Sequence, residues 1–287
     1  MARLIEAEGL ARLPPLRDAL RAGAVFDHWL VVIFQAERPP LILVGDPKEP
    51  DPPYDAGPYL LDPFYHRYRA GKAGWSALHE IAPADFGASD YVATYYNKLG
   101  VGHELGFIAP VDGGAFHLSL TRNRGAMPFP RRERDWLEAQ SPLLASVGRG
   151  LAAQAPADPA AQSLHATLSA AFDRFGTSVL TDREVEVVQL LLQGNMAKSI
   201  ARALGISPGT ARNHLKRIYP KLGVGSHAEL YALFLKALRV ADGEGDPLGR
   251  LSEPTQPPLP LSPASRERGL SARSRPTAPL SRASGGG

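Results

Sequence analysis

The chain has 287 residues, 44% of them hydrophobic and 21% charged, with a net charge of +3 and no cysteine. That composition is globular rather than disordered and long enough for two domains, and the lack of cysteine excludes disulfide frameworks and thiolate zinc sites. The opening MARLIEAEGLARL has no signal-peptide core, and the longest apolar run, Trp29–Phe34, is far short of the ~20 residues that cross a bilayer, so a cytoplasmic protein without membrane contact is expected.

HWLVVIFQ (28–35) and LILVG (41–45), separated by Pro39-Pro40, read as strands. GPYLLDPFYHRYRAG (57–71) reads as an aromatic helix that Pro63 breaks or kinks. WSALHEIA (75–82) alternates like a strand, and ASDYVATYYNKLG (88–100) reads as a helix ending at Gly100. ELGFIAPV (104–111) and AFHLSLTR (115–122) flank Asp112-Gly113-Gly114, a hairpin signal. Residues 130–151 read as a long helix bent at Pro142. The expectation for 1–153 is an α+β domain, an antiparallel sheet with flanking helices. In the order of its elements it resembles a GAF- or PAS-like sensory fold, with a small-molecule effector as its expected partner. Residues 154–175 read as an Ala/Pro/Asp linker and a short helix, and the Pro/Ser/Arg-rich tail 241–287 as disordered.

Between them, 176–240 reads as a four-helix, all-α unit. Thr181-Asp182-Arg183-Glu184 is a capping box, with Leu180 and Val185 at the positions of a hydrophobic staple. Val185, Val188, Leu191 and Leu192 give the first helix one apolar face, and Gly194 ends it. A second short helix, 196–204, stops at Gly205; Ser207 then caps a third that begins at Pro208. Two short helices joined by so tight a turn are a helix-turn-helix. In the third helix, 208–222, Ala211, Leu215, Ile218 and Leu222 share one stripe. Arg212, Asn213 and Lys216 project from nearly the opposite side, with Thr210, His214, Arg217 and Lys221 toward one flank. Pro220 removes a hydrogen bond to residue 216 and should kink the helix. Ser226-His227-Ala228-Glu229 opens a fourth helix with a second capping box.

Charge supports a nucleic-acid partner. Nine basic and four acidic side chains fall within 176–240, a net +5, and the rest of the chain is left at −2. No acid occurs from 207 to 228, whereas a merely solvated helix face mixes signs. Arg and Asn are also the side chains that pair with guanine or adenine edges in the major groove.

The segment LTDREVEVVQLLLQGNMAKSIARALGISPGTARNHLKRIYPKLGVGSHAEL resembles the DNA-binding domain of LuxR/NarL regulators over roughly 180–235. The Leu-Thr-x-Arg-Glu opening, Ile200-Ala201, Gly205-Ile206-Ser207, Thr210, Asn213-His214 and Lys221-Leu222-Gly223 fall in register. The resemblance implies a transcription regulator on double-stranded DNA, with RNA polymerase as a further partner. It implies that Arg212, Asn213 and Lys216 face bases, and that Lys198, Thr210, His214 and Lys221 approach phosphates or brace the turn. It also implies a homodimer formed through the fourth helix, with half-sites about one helical turn apart. Ala211 stands where the family usually carries valine.

Other readings of the first domain lack their residues. His79-Glu80 and His103-Glu104 have no second histidine at zinc-protease spacing, and no phosphate loop or nucleophile elbow occurs, so neither metal, cofactor nor catalysis is expected. No paired acids follow the first strand, against a phosphoreceiver. The aromatics Tyr54, Tyr59, Phe64, Tyr65, Tyr68, Tyr91, Tyr95 and Tyr96 are most simply core, and otherwise the lining of an apolar ligand pocket. A sigma factor's promoter-reading domain, or an enzyme with an accessory DNA module, are the alternatives. The first calls for a helical, basic partner domain and the second for a catalytic constellation.

Overall fold

The computed structural model describes residues 9–45, 52–155 and 159–252. The first eight residues, the middle of the linker and the tail from 253, on which parts of the leader, linker and disorder expectations rest, lie outside the described residues.

Five strands, β1 (His28–Gln35), β2 (Leu41–Val44), β3 (Gly74–Ala77), β4 (Val101–Val111) and β5 (Gly114–Asn123), form one antiparallel sheet in the order β2-β1-β5-β4-β3. The main helices of the first domain are α1 (Leu13–Arg21), α2 (Pro63–Arg69), α3 (Leu78–Ile81), α4 (Arg131–Ala139) and α5 (Ser141–Ala152), with a π-helical turn at Val92–Tyr96 that runs on into Asn97–Leu99. Then come α6 (Pro159–Arg174), α7 (Asp182–Leu192), α8 (Ala197–Leu204), α9 (Pro208–Leu222) and α10 (His227–Val240).

The two-residue period of the strands sorts their side chains onto two faces. Val31, Ile33, Leu105, Phe107, Phe116, Leu118 and Leu120 turn to one side, where they meet Leu16 and Leu20 of α1, Leu137 of α4 and Leu144 of α5. Val32, Phe34, Ile108 and Ala115 turn to the other, against Tyr59, Leu61 and Phe64. This second core does not stop at the domain boundary; it continues through Leu168 and Phe175 to Val188, Ile218 and Phe234 of the helical unit. Gly106 belongs to this face because the Phe64 ring lies on the strand: a Cβ there would sit 2.2 Å from a ring carbon. The hairpin expected at 112–114 forms, with Gly113 at φ +72°.

Four sequence readings change. The strand expected over 75–82 ends at Ala77, where Glu80 accepts the Ala77 amide (2.9 Å) and turns Leu78–Ile81 into a helical turn. The helix over 130–151 is two helices, because Pro142 in the first turn of α5 cannot continue an incoming hydrogen-bond ladder. α1, with Leu13, Leu16 and Leu20 buried at helical spacing, was not anticipated. Residues 241–252 are structured, not disordered. Asp246 accepts from the amides of Gly176 (3.1 Å) and Ser178 (2.9 Å), while Leu248 and Leu251 pack on the second core.

Candidate functional site

The helix-turn-helix is built by the caps its sequence carries. The Thr181 hydroxyl accepts the Glu184 amide (3.4 Å), and Glu184 accepts the Thr181 amide (3.0 Å), closing the box at the start of α7. Gly194 and Gly205, at φ +87° and +64°, end α7 and α8. Ser207 accepts the Thr210 amide (3.0 Å) at the start of α9. Arg183 donates to the Leu204 carbonyl (2.8 Å), fixing α7 to the end of α8. α9 runs uninterrupted through Pro220 to Gly223. Pro220 and Lys216 are both exposed, so the carbonyl that loses its helical partner faces water. The box expected at Ser226 is half made: its hydroxyl accepts the Glu229 amide (3.2 Å), but Glu229 accepts from Gly225 (2.9 Å).

The candidate DNA-contacting residues divide by surroundings. Ala211 and Ile218 are fully buried and seat α9, with Leu215 and Leu222 half-buried beside them. Arg212, Asn213, Lys216 and Arg217 stand exposed on the outer side, and Lys198 is exposed on α8. Thr210 is exposed, its hydroxyl 2.9 Å from that of Ser207, and His214 is half-buried. Lys221 is set apart: its ammonium lies 2.6 Å from the buried Glu184 carboxylate. That contact holds Glu184 below the usual carboxylate range, with the Thr181 amide assisting, and makes Lys221 a brace between α7 and α9.

The helical unit meets the sheet domain at Asp85–Tyr96 and again at Gly57. Ser199 of α8 donates to Asp85 (2.7 Å), and a Cβ on Gly194 would touch the Phe86 ring at 2.7 Å. His227, at the start of α10, lies 2.9 Å from Asp90 through Nδ1 and 3.2 Å from the Leu191 carbonyl through Nε2. The ring thus ties the start of α10 to the sheet domain at one nitrogen and to α7 at the other. Further along α10, Leu238 packs against Gly57, where a Cβ would stand 2.7 Å from it. α10 is thereby covered on two sides: Leu230, Phe234 and Ala237 are buried, and so are Tyr231 and Leu238.

The other side of the same segment walls a cavity of about 110 Å³ in the sheet domain. Tyr54, Tyr91, Tyr95 and Tyr96 line it, with Trp29 and Leu30 of β1. Beside the tyrosine hydroxyls, its polar side chains are His28, Asp62, Glu104, Ser119 and Thr121. Tyr54 donates to Asp62 (2.5 Å); Tyr96 (2.5 Å) and Ser119 donate to Glu104. Burial pushes the Asp62 carboxyl up to about 6, and burial together with the Asp62 charge pushes Glu104 up to about 7. The buried Thr121 hydroxyl has no hydrogen-bond partner among the described residues. The aromatic set therefore divides: Tyr59 and Phe64 are core, and Tyr54, Tyr91, Tyr95 and Tyr96 also line a cavity. Glu104, Ser119 and Thr121 were missed as site residues, although polar side chains at one strand parity in otherwise apolar strands were their signal. Among the described residues no cluster of metal-ligating side chains occurs, and no helix is long and apolar enough to cross a membrane.

Residues 178–234 match the family model described as bacterial regulatory proteins, luxR family. An HTH-type transcriptional regulator from the exeN 3' region of Aeromonas salmonicida is 37% identical over 202 residues, which span 67% of this chain and all of that protein. The chain belongs to the luxR family of bacterial regulatory proteins. As a luxR-family member it is a DNA-binding transcription regulator, a reading favoured over a sigma factor or an enzyme with an accessory module, and its relatives are regulators rather than known enzymes. The transcriptional activator ExaE of Pseudomonas putida is 45% identical over 64 residues, 22% of this chain and 30% of that one. The structure of the VqsR LBD domain from Pseudomonas aeruginosa aligns with TM-score 0.47 and 26% identity, covering 54% of this chain and 95% of that chain.

Proposed function

We propose that this luxR-family regulator reads duplex DNA with α9 in the major groove. In this reading Arg212, Asn213 and Lys216 lie against base edges, and Lys198, Thr210, His214 and Arg217 against the backbone. It works in the cytoplasm, as a homodimer on paired half-sites within reach of RNA polymerase. Residues 1–153 sense a small ligand in the aromatic cavity, 154–175 connect, and 176–240 bind DNA, with 241–252 buttressing them.

The observation that carries the reading is that Asp85–Tyr96 faces both ways: it supplies Tyr91, Tyr95 and Tyr96 to the cavity, and Asp85, Phe86 and Asp90 to the helical unit. The unpartnered Thr121 hydroxyl offers a ligand a hydrogen bond that no described group takes up. Drug-sized ligands occupy roughly 300–1,000 Å³, so one entering a space of about 110 Å³ must push these tyrosines outward. The segment that moves also holds the start of α10, whose apolar faces are covered in the docked form. Release of α10 then permits pairing with a second copy.

The test is selection of binding sites from a random duplex pool with the full chain, beside an Arg212→Ala/Lys216→Ala control. The expected result is a palindrome with half-sites about one helical turn apart, lost in the control. A control that enriches the same motif would refute base reading by α9.

A further inference from the structure

A second cavity, about 800 Å³, opens on the far side of the Tyr96–Glu104 hydrogen bond and shares Tyr96, Val101 and Glu104 with the first. It lies between α3, the loop that follows it, the start of β4, the turn after β5 and the side of α4. Its walls are apolar: Leu78, Phe86, Val92, Leu105 and Phe129. Its size is already that of a drug-sized ligand, so occupancy demands no displacement of its walls.

The polar lining is predominantly basic. His79, His103, Arg124 and Arg134 stand around the cavity, and Glu104 is the one carboxylate among its lining residues. Glu104 is buried and already accepts from Tyr96 and Ser119. Arg134 is paired with Glu80 (2.8 Å), which tempers its charge. Arg124 instead donates to the side-chain amide of Asn97, which bonds the guanidinium without cancelling its charge. A preformed apolar space with an uncompensated guanidinium and histidines at its edge is complementary to a molecule that is apolar at one end and anionic at the other.

We infer that this cavity is a second effector site, which takes an amphipathic anion with its apolar body against Leu78, Phe86 and Phe129 and its charged head at Arg124 and His103. The inference stands apart from occupancy of the aromatic cavity. It reaches the DNA-binding unit through the same segment, because the Phe86 that walls the cavity also packs against Gly194 at the end of α7.

Calorimetric titration of the full chain with octyl phosphate and with octan-1-ol, both below micellisation, tests it. Octyl phosphate should bind saturably, at least tenfold tighter than the alcohol. Arg124→Ala/His103→Ala should bring the two ligands level, and Arg124→Lys should keep most of the preference. Ala82→Trp, which fills this cavity, should abolish binding, whereas Leu99→Trp, in the aromatic cavity alone, should leave it intact. The absence of saturable binding, equal affinity for alcohol and phosphate, or loss of binding in Leu99→Trp with retention in Ala82→Trp would each overturn the proposal. Arg124 is exposed and His103 only half-buried, so the charge variants give the answer even where the tryptophan variants fail to fold.

Discussion

Glu104→Gln should stabilise the sheet domain increasingly as pH rises from about 4.5 to about 7. The carboxyl is 8% exposed, and burial with the neighbouring Asp62 charge raises it from 4.5 to about 7. Between those values the unfolded chain releases the proton while the folded chain keeps it. Folding is therefore increasingly penalised as pH rises through this window, and the full penalty stands above about pH 7. The displacement corresponds to about 3 kcal/mol. A glutamine stays neutral throughout and can still accept from Ser119 or Tyr96. The wild-type profile alone does not isolate this effect: half-buried His66 and buried His117, lowered by desolvation to about 4, cost the fold stability as pH falls from 6.5 toward 4. The difference between variant and wild type removes that shared contribution. Trp29, Trp75 and Trp136 all lie in the sheet domain, so tryptophan fluorescence in urea titrations reports that domain. The variant should match wild type, or fall slightly below it, near pH 4.5, and exceed it by about 3 kcal/mol at pH 8. A difference that stays constant across this range would refute the account of Glu104 as a desolvated, late-ionising carboxyl.

Two further outcomes concern the helical unit. Glu184→Ala removes both the reciprocal cap of α7 and the partner of Lys221, and should cost about 1–3 kcal/mol in thermal or urea unfolding followed by circular dichroism; an unchanged midpoint would show that neither contact matters. Asp85→Ala/Asp90→Ala strips the side-chain bonds to Ser199 and His227, and should raise DNA affinity and the dimer fraction in sedimentation without added ligand. Unchanged affinity and mass would count against docking as the restraint.

The helical unit was legible almost to the residue because its signals are local. A capping box, a glycine in the left-handed region or a serine before a proline act within a few residues, and their geometry is settled before any tertiary contact forms. Lys221 marks the limit of that reasoning. Its position at a helix end suits a phosphate contact, but its partner, Glu184, is 37 residues earlier and meets it only when α7 and α9 pack. The sheet was legible as strands, a hairpin and flanking helices, whereas its strand order was not. β1 pairs with β5 across some 80 residues of chain, so no local pattern announces which strands become neighbours. Asp62, Glu104, Ser119 and Thr121 likewise share a cavity only after the sheet is assembled. The order of 241–252 was hidden because Asp246 is fixed by amides near residue 177, while the local composition reads as linker.

The dual contact of Asp85–Tyr96 carries a thermodynamic obligation. A ligand shifts the docked unit only by the difference between its affinities for the docked and released forms, so ligand that favours release must bind more tightly once α10 is free. DNA that selects the released dimer must then raise ligand affinity by the same factor that ligand raises DNA affinity. The two cavities differ in this respect. Filling the small one displaces Tyr91, Tyr95 and Tyr96 and strains the docked form. The large one accepts its occupant without displacement, and any bias must come through contacts to Phe86. A ligand of the first kind should be a strong switch of modest affinity, since part of its binding energy is spent on the wall. One of the second kind should bind well and shift the equilibrium little.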